Sequence, residues 1–253
     1  MDFETILLEK ENGLATLYLN RPDVLNAIDN KMRLELLKAL EDIEADNGIR
    51  TLILTGKGAA FCAGGDVRGM GKSERMINPH PIIRKIINLE KPVMAAVNGV
   101  AAGAGCSLAL SADIIIASSK ASFVLSFVRM GLVPDWGGLY FLPRRVAISK
   151  AKELMFTANR ISSEEAERIG LINKVVPENE FEESVKKIAQ QILRGAPIPM
   201  GMIKRILNVS QSSEIESVLS LEYQAQTICR GTEDHREGIT AFKEKREPRF
   251  LGK

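Results

Sequence analysis

Two glycine-rich segments of the chain are candidates for chemistry at the backbone. One runs from Ala59 to Asp66 and the other from Asn98 to Cys106, and each follows a short apolar run typical of a buried strand. Small residues let a ligand approach the main chain, and a turn that opens a helix leaves N–H groups free to bind negative charge. Two such turns could aim two N–H groups at one oxygen, as an oxyanion hole requires. The alternative interpretation is that the glycines only permit close packing of helices and strands.

A third candidate segment, Gly131 to Gly138, contains an acid and the only tryptophan of the sequence. Asp135 beside Trp136 could be desolvated, which would raise the pKa of its carboxyl and suit it to proton transfer near neutral pH. Asp135 could equally cap a helix that begins near Gly137. The sequence position leaves both interpretations open.

Other reactive side chains carry weaker signals. Cys62 and Cys106 lie in apolar, small-residue turns without a nearby base, so we interpret them as buried packing residues. His80, between two prolines, is interpreted as a loop residue, and His235, in a charged stretch, as solvated. With two histidines and no CxxC pair, a zinc site would lack ligands.

The spacing of apolar residues predicts the elements that hold the three segments. Residues 5–20 are predicted as two strands around a turn at Asn12-Gly13, and Asp29 as the cap of an amphipathic helix. Residues 51–55, 93–97 and 114–117 are short apolar runs, typical of parallel strands buried on both faces. Helical segments between these runs imply βαβ units.

Strand signals nearly vanish after about residue 150, apart from a brief extended pair at Val175-Val176. The helices predicted there cover residues 149–157, 162–169, 180–194, 198–210 and 213–229. We therefore expect an α/β fold, with a β/α core over residues 1–190 and a helical C-terminal region over residues 191–253.

Composition argues against several classes of partner. The 34 Lys and Arg against 32 Asp and Glu leave a net charge of +2, too small to indicate nucleic acid or an anionic membrane as the main partner. Three cysteines without paired spacing are unlike a disulfide framework. Because there is neither a leader-like opening nor an apolar run of the roughly 20 residues that a membrane helix needs, we expect a cytoplasmic protein.

The three candidate segments occur in the order and spacing of the enoyl-CoA hydratase/isomerase (crotonase) superfamily, which the chain resembles over about residues 5–250. Leu19 to Ala27 and Arg236 to Arg246 resemble the opening and closing motifs of that superfamily. The resemblance implies a crotonase-like spiral of ββα units, with a helical C-terminal region that builds homotrimers or dimers of trimers. It also implies an acyl-CoA thioester substrate, with coenzyme A entering as part of the substrate and without a separate cofactor.

The resemblance further implies functions for individual positions. It places the oxyanion donors at the backbone N–H groups of Gly65 and Ala104. The positions that it implies for binding of the coenzyme A part are Val24, Leu25, Ala63, Gly64, Asp66, Phe242 and Lys245.

At the catalytic acids the chain departs from a typical hydratase. The positions of the two hydratase glutamates hold Ser107 and Phe127, and neither can activate water or supply a proton as carboxylates can. The acid that remains, Asp135, matches the single catalytic aspartate of epoxyphenylacetyl-CoA isomerase-like members.

We therefore expect an isomerase that moves a proton between carbons of an unsaturated acyl-CoA through an enolate. Two other enzymes could use Asp135 instead, namely an enoyl-CoA hydratase and a dehalogenase of the 4-chlorobenzoyl-CoA type. A non-catalytic acyl-CoA-binding subunit is the alternative from a different class.

Overall fold

The structure is a computed structural model that describes residues 3–69 and 77–253. Its strands are β1 (Ile6–Glu11), β2 (Leu14–Leu19), β3 (Thr51–Gly56), β4 (Ala60–Cys62), β5 (Val93–Val97), β6 (Val100–Ala102), β7 (Ile114–Ser118), β8 (Ser122–Val124), β9 (Ile161–Ser162) and β10 (Lys174–Val176). Its α-helices are α1 (Asn30–Ala45), α2 (His80–Asn88), α3 (Ala104–Leu110), α4 (Gly138–Arg145), α5 (Ile148–Thr157), α6 (Ser163–Arg168), α7 (Phe181–Leu193), α8 (Pro197–Ser210), α9 (Ile215–Arg230) and α10 (Glu233–Glu244).

The larger sheet has the strand order β1-β2-β3-β5-β7-β10. β1 and β2 form an antiparallel hairpin, whereas the other neighbours pair in parallel. Asn12 and Gly13 make the hairpin turn with φ angles of 50° and 83°, in the left-handed region that a tight two-residue turn requires. β3 and β5 are buried along their whole length. The predicted hairpin and buried parallel strands are confirmed.

A smaller sheet, with the order β4-β6-β8-β9, was not expected from the sequence pattern. Its strands contain only two or three residues each, which is too short to show an alternating pattern. From β3 onward, three successive segments of the chain each contribute one strand to the larger sheet, then one strand to the smaller sheet, and then a helix. This order recurs as β3-β4-α2, β5-β6-α3 and β7-β8-α4. The expected α/β spiral of ββα units is therefore confirmed.

Helix α1 begins where the sequence predicted. The carboxyl of Asp29 accepts a hydrogen bond from the Met32 N–H at 2.8 Å, which satisfies one of the free donors of the first turn. The apolar face of α1 packs into the core, but Arg33 is buried with it at 3% exposure. His80, interpreted from the sequence as a loop residue, is instead the first residue of α2.

After β10 the described chain is helical, as the sequence predicted. Lys204 of α8 is buried and ties this region to the core, because its ammonium pairs with Asp113 at 2.8 Å and donates to the Ile86 carbonyl at 2.9 Å. The division of the chain at residues 190 and 191 stays a prediction. In the described part of the chain, no helix is long and apolar enough to cross a membrane.

Candidate active site

The two glycine-rich segments lie side by side because β4 and β6 pair in parallel. A Cβ atom on Gly64 would lie 2.9 Å from the carbonyl oxygen of Ala102 and 3.6 Å from the nitrogen of Ala104. A Cβ atom on Gly105 would lie 2.5 Å from the carbonyl oxygen of Cys62. Only glycine permits these approaches, so close packing is the means by which the two turns meet.

Gly65 and Ala104 each present a backbone N–H at this junction. Gly65 lies in an isolated bridge in which its neighbours form the hydrogen bonds: Ile28 donates to the Gly64 carbonyl at 2.7 Å, and Asp66 donates to the Ile28 carbonyl at 2.9 Å. Ala104 is the first residue of α3, so its N–H has no acceptor within the helix. Within the described residues, neither N–H donates to another protein group. Two unused donors at one junction can stabilise one developing oxyanion.

Asp135 lies half-buried on the loop that leads into α4. Its Oδ1 atom is buried and has no hydrogen-bond partner in the described part of the chain. Burial raises the pKa of this carboxyl, while the positive charges of Arg33 and His80 partly oppose the shift. Every other described carboxyl with a shifted pKa is shifted downwards. A desolvated carboxyl of this kind is suited to accept and return a proton.

The interpretation of Asp135 as a helix cap is wrong. Helix α4 has Gly137 as its N-cap residue, and no side chain caps it. Asp135 contributes only its backbone carbonyl, which accepts the Gly138 N–H at 2.9 Å. The carboxyl is therefore left available for another function.

The loop before α4 has an unusual backbone. Trp136 has a φ of +52° and Gly137 a φ of +77°, and the left-handed conformation costs a bulky residue about 1–2 kcal/mol. The Trp136 side chain is fully buried. A Cβ atom on Gly138 would lie only 2.6 Å from Oγ of Ser107, so α4 lies directly on α3, one turn after Ala104. This packing places the loop that carries Asp135 beside the helix that begins at Ala104, the second candidate donor.

The two positions that hold glutamates in hydratases contribute no carboxylate here. Ser107 is fully buried, and Phe127 is 8% exposed. Oγ of Ser107 has no hydrogen-bond partner among the described residues. Within residues 3–69 and 77–253, Asp135 is therefore the candidate acid of this arrangement.

The residues expected to bind the coenzyme A part fall into two groups. Ala63 lies next to Leu25, because the Ala63 N–H donates to the Leu25 carbonyl at 2.9 Å. Val24 and Gly64 adjoin these two residues in the chain, so four of the expected positions form one edge next to Gly65, at which Leu25 and Ala63 are exposed, Val24 is half-buried and Gly64 is buried. Asp66, at the same edge, pairs with Arg68 at 2.7 Å and Arg21 at 3.0 Å, and these guanidinium groups hold the pKa of its carboxyl well below the usual range.

Phe242 and Lys245, at the end of α10, form the second group. Phe242 is 85% exposed, and Lys245 is also exposed. Among the described residues, no hydrogen bond or ion pair joins either of them to the edge at Ala63 and Leu25. Their part in binding stays a prediction.

Cys62 and Cys106 are buried, and burial raises the pKa of each thiol to about 12. Their interpretation as packing residues is confirmed. His235 is exposed, as expected.

Sequence reasoning missed Arg33 as part of this site. A signal was present, since Arg33 precedes Leu36 and Leu40 by three and seven residues, which places it near the apolar face of α1. Its guanidinium carbon lies 5.5 Å from the centroid of the Trp136 ring. The charge that the sequence pattern assigns to solvent is thus beside the candidate acid.

Two cavities lie elsewhere in the described structure. One of about 690 Å³ opens between the larger sheet and α7, near Tyr18 and Lys57. The other, of about 560 Å³, lies between α4 and α8, near Tyr140 and Leu207. Neither is lined by the candidate acid or the two donors.

Several known proteins are similar to this chain in sequence and in fold. Residues 9–253 match the family model described as enoyl-CoA hydratase/isomerase. A 1,2-epoxyphenylacetyl-CoA isomerase from Escherichia coli is 39% identical over 262 aligned residues, covering 99% of each chain. A crotonyl-CoA hydratase from Syntrophomonas wolfei is 41% identical over 260 aligned residues, covering 100% of each. The crystal structure of an enoyl-CoA hydratase from Bacillus anthracis superposes with a TM-score of 0.94 at 34% identity, covering 99% of this chain and 100% of that one.

Proposed function

The chain is a member of the enoyl-CoA hydratase/isomerase family, and from this premise we propose that it isomerises unsaturated acyl-CoA thioesters with Asp135 as the single proton carrier. The observation that carries the proposal is the buried oxygen of Asp135, which has no hydrogen-bond partner among the described residues and lies on the loop leading into α4, where α4 packs on α3. Ser107 and Phe127 stand where the resemblance implies the glutamates of a hydratase, so among the described residues the site offers one carboxylate rather than two.

The proposed reaction moves one proton and consumes nothing. The thioester carbonyl accepts hydrogen bonds from the N–H groups of Gly65 and Ala104, which increases the acidity of the neighbouring carbon. Asp135 removes a proton from one carbon of the acyl chain, and the electron pair delocalises into an enolate. Each N–H donor can stabilise the enolate oxygen by about 3 kcal/mol. Asp135 then returns the proton to a different carbon, and the double bond has moved. No step of this scheme needs a metal or a separate cofactor.

We further propose that the coenzyme A part lies along the edge formed by Val24, Leu25, Ala63, Gly64 and Asp66. The exposed residues Leu25 and Ala63, joined by a backbone hydrogen bond next to Gly65, support the proposal. Phe242 and Lys245 are proposed to contact the same nucleotide from α10.

The proposed assembly is a homotrimer or a dimer of trimers. Large apolar side chains exposed on α8 and α9 support an assembly, namely Ile203, Leu207, Ile215, Leu219, Tyr223 and Ile228. Sedimentation equilibrium tests this, because the particle mass is expected to be a multiple of three 27.8 kDa chains. A monomer would contradict it.

Hydration is the second candidate activity, and the 41% identity to a crotonyl-CoA hydratase favours it. In that case Asp135 would activate water instead of carrying a proton between carbons. The single carboxylate among the described residues argues against it, since hydration needs one group to activate water and a proton to be delivered to the neighbouring carbon of the substrate.

One experiment separates these activities. Straight-chain, cyclic and aromatic unsaturated CoA thioesters are incubated with the protein in deuterated water and followed by mass spectrometry. Isomerisation moves the double bond and adds no oxygen, so the expected result is a positional isomer, separated by chromatography, with deuterium present only where the Asp135 carboxyl exchanges its proton with solvent before returning it. Addition of a whole water molecule would establish a hydratase, and replacement of chlorine by oxygen on a chlorinated aromatic thioester would establish a dehalogenase. Unchanged masses together with an unchanged position of the double bond across the panel would indicate a binding subunit.

A further inference from the structure

A buried arginine lies behind the proposed catalytic acid, and the reaction as proposed does not use it. Arg33 projects from α1 and is 3% exposed. Its guanidinium lies over the Trp136 ring, with 5.5 Å between its central carbon and the ring centroid, and its Nη1 donates to the carbonyl of Ile77. Burial of a charge is unfavourable unless its partners compensate, so the position of this side chain calls for a function.

The ring that Arg33 contacts belongs to Trp136, the residue whose backbone is strained. Trp136 has a left-handed φ of +52°, which is a genuine outlier for a bulky side chain. Such a conformation persists only where the surroundings hold it, and it is typical of functional sites. The ring is fully buried, and Arg33 is the cation placed on it. Because Asp135 is the preceding residue, a contact that holds the Trp136 ring also restrains the backbone from which the acid projects.

The charge of Arg33 acts on the same loop. Burial raises the pKa of Asp135, and the opposing positive charges come from Arg33 on α1 and, to a smaller extent, from His80 at the start of α2. Among the described residues, the acids that face Arg33 are Asp135 and Asp29, and burial lowers the pKa of its guanidinium. Arg33 therefore acts on the Asp135 loop in two ways, through its contact with the Trp136 ring and through its charge.

We propose that Arg33 is the positioning residue of Asp135. Its guanidinium holds the Trp136 ring, so that the loop aims the carboxyl at the acyl chain, and its positive charge favours the ionised form of that carboxyl, which removes the proton. This inference rests on the proposed function and adds to it a residue outside the three candidate segments.

The test is the pH dependence of kcat/KM for a straight-chain, β,γ-unsaturated hexenoyl-CoA. In the native enzyme the rate rises with pH as Asp135 ionises. In Arg33→Met the carboxyl loses the favourable charge, so the rising limb is expected to move to higher pH by roughly one unit, with about a tenfold lower rate on that limb. Arg33→Lys keeps the charge and is expected to leave the limb in place.

Arg144→Met is the matched control. It removes a guanidinium that lies over the ring of Tyr140, at 3.5 Å from the centroid, on the exposed side of α4. The rising limb of kcat/KM against pH in Arg144→Met is expected to coincide with that of the native enzyme. Should Arg33→Met fail to fold, Arg33→Gln removes the same charge and keeps a donor for the Ile77 carbonyl.

A folded Arg33→Met or Arg33→Gln protein with an unmoved limb would overturn the inference and leave Arg33 a purely structural role. Asp135→Asn, measured alongside, separates failure of the proposed function from failure of the proposed role of Arg33. If Asp135→Asn isomerises at the native rate, the proposed function itself fails. If Asp135→Asn is inactive and the limb of Arg33→Met is unmoved, only the role of Arg33 fails.

Discussion

A methyl group on Gly105 tests whether the spacing of the two glycine-rich turns matters for catalysis. A Cβ atom there would lie 2.5 Å from the carbonyl oxygen, 2.6 Å from Cβ and 2.7 Å from Sγ of Cys62, whereas ordinary contact begins at 3.4 Å. The nearest atom is backbone, so a change of rotamer cannot relieve the clash. In Gly105→Ala, β4 and α3 must separate by about 1 Å, and with them the proposed donors Gly65 and Ala104.

A displacement of about 1 Å at reacting groups can lower a rate by roughly a hundredfold. We expect a loss of that order in kcat/KM for isomerisation, together with a destabilisation of about 1–3 kcal/mol from overpacking. Both quantities are measurable on one preparation, by steady-state assay and by thermal unfolding.

Gly238→Ala supplies the control, because Gly238 also lies within a helix and its added Cβ would meet only Phe250, at 3.6 Å. Its activity should match the native rate. A folded Gly105→Ala protein with native kcat/KM would refute the reasoning, since the oxyanion donors could then tolerate separation of the turns.

Three further outcomes follow from the same structure. Ala104→Pro deletes the proposed donor and should lower the rate by roughly a hundredfold in a folded protein, whereas Ala104→Ser keeps the N–H and should cost far less; equal rates would remove Ala104 from the mechanism. At pH 8 a thiol reagent should label Cys229 but not Cys62 or Cys106, whose pKa values of about 12 keep them protonated, and rapid labelling of all three in the folded protein would contradict the described burial. Burial tends to raise the pKa of Glu35, but three hydrogen bonds outweigh it and lower that pKa. Glu35→Gln should therefore reduce the free energy of unfolding by about 1.5 kcal/mol at neutral pH. This difference should shrink as the pH falls through the usual glutamate range, and a pH-independent difference in chemical denaturation would count against it.

Apolar periodicity predicted the elements that bury a continuous stripe or run. The cap at Asp29, the hairpin turn at Asn12 and Gly13, and the buried strands β3, β5 and β7 follow from local rules that tertiary contacts do not alter. The smaller sheet escaped prediction because strands of two or three mostly small residues carry no period.

The candidate site was predictable in its residue types and not in its geometry. The sequence pointed to Asp135 and to the two turns, but it left the carboxyl as either a cap or a desolvated acid. The choice depends on the left-handed backbone of Trp136 and on the contact of α4 with Ser107, both of which are long-range consequences of packing. Burial of Arg33 was missed for the same reason, since a charged residue at the border of an apolar face can point either way.

The most direct test of the account is proton exchange in Asp135→Asn. The bound acyl-CoA thioester is incubated in deuterated water, and deuterium at its carbons is followed by mass spectrometry, while affinity for the thioester is measured by calorimetry. The amide keeps the shape of the carboxyl but cannot act as a base, so the account predicts an exchange rate roughly a hundredfold to ten-thousandfold lower, with affinity within a few fold of the native value. Exchange at the native rate in this variant would contradict the central claim.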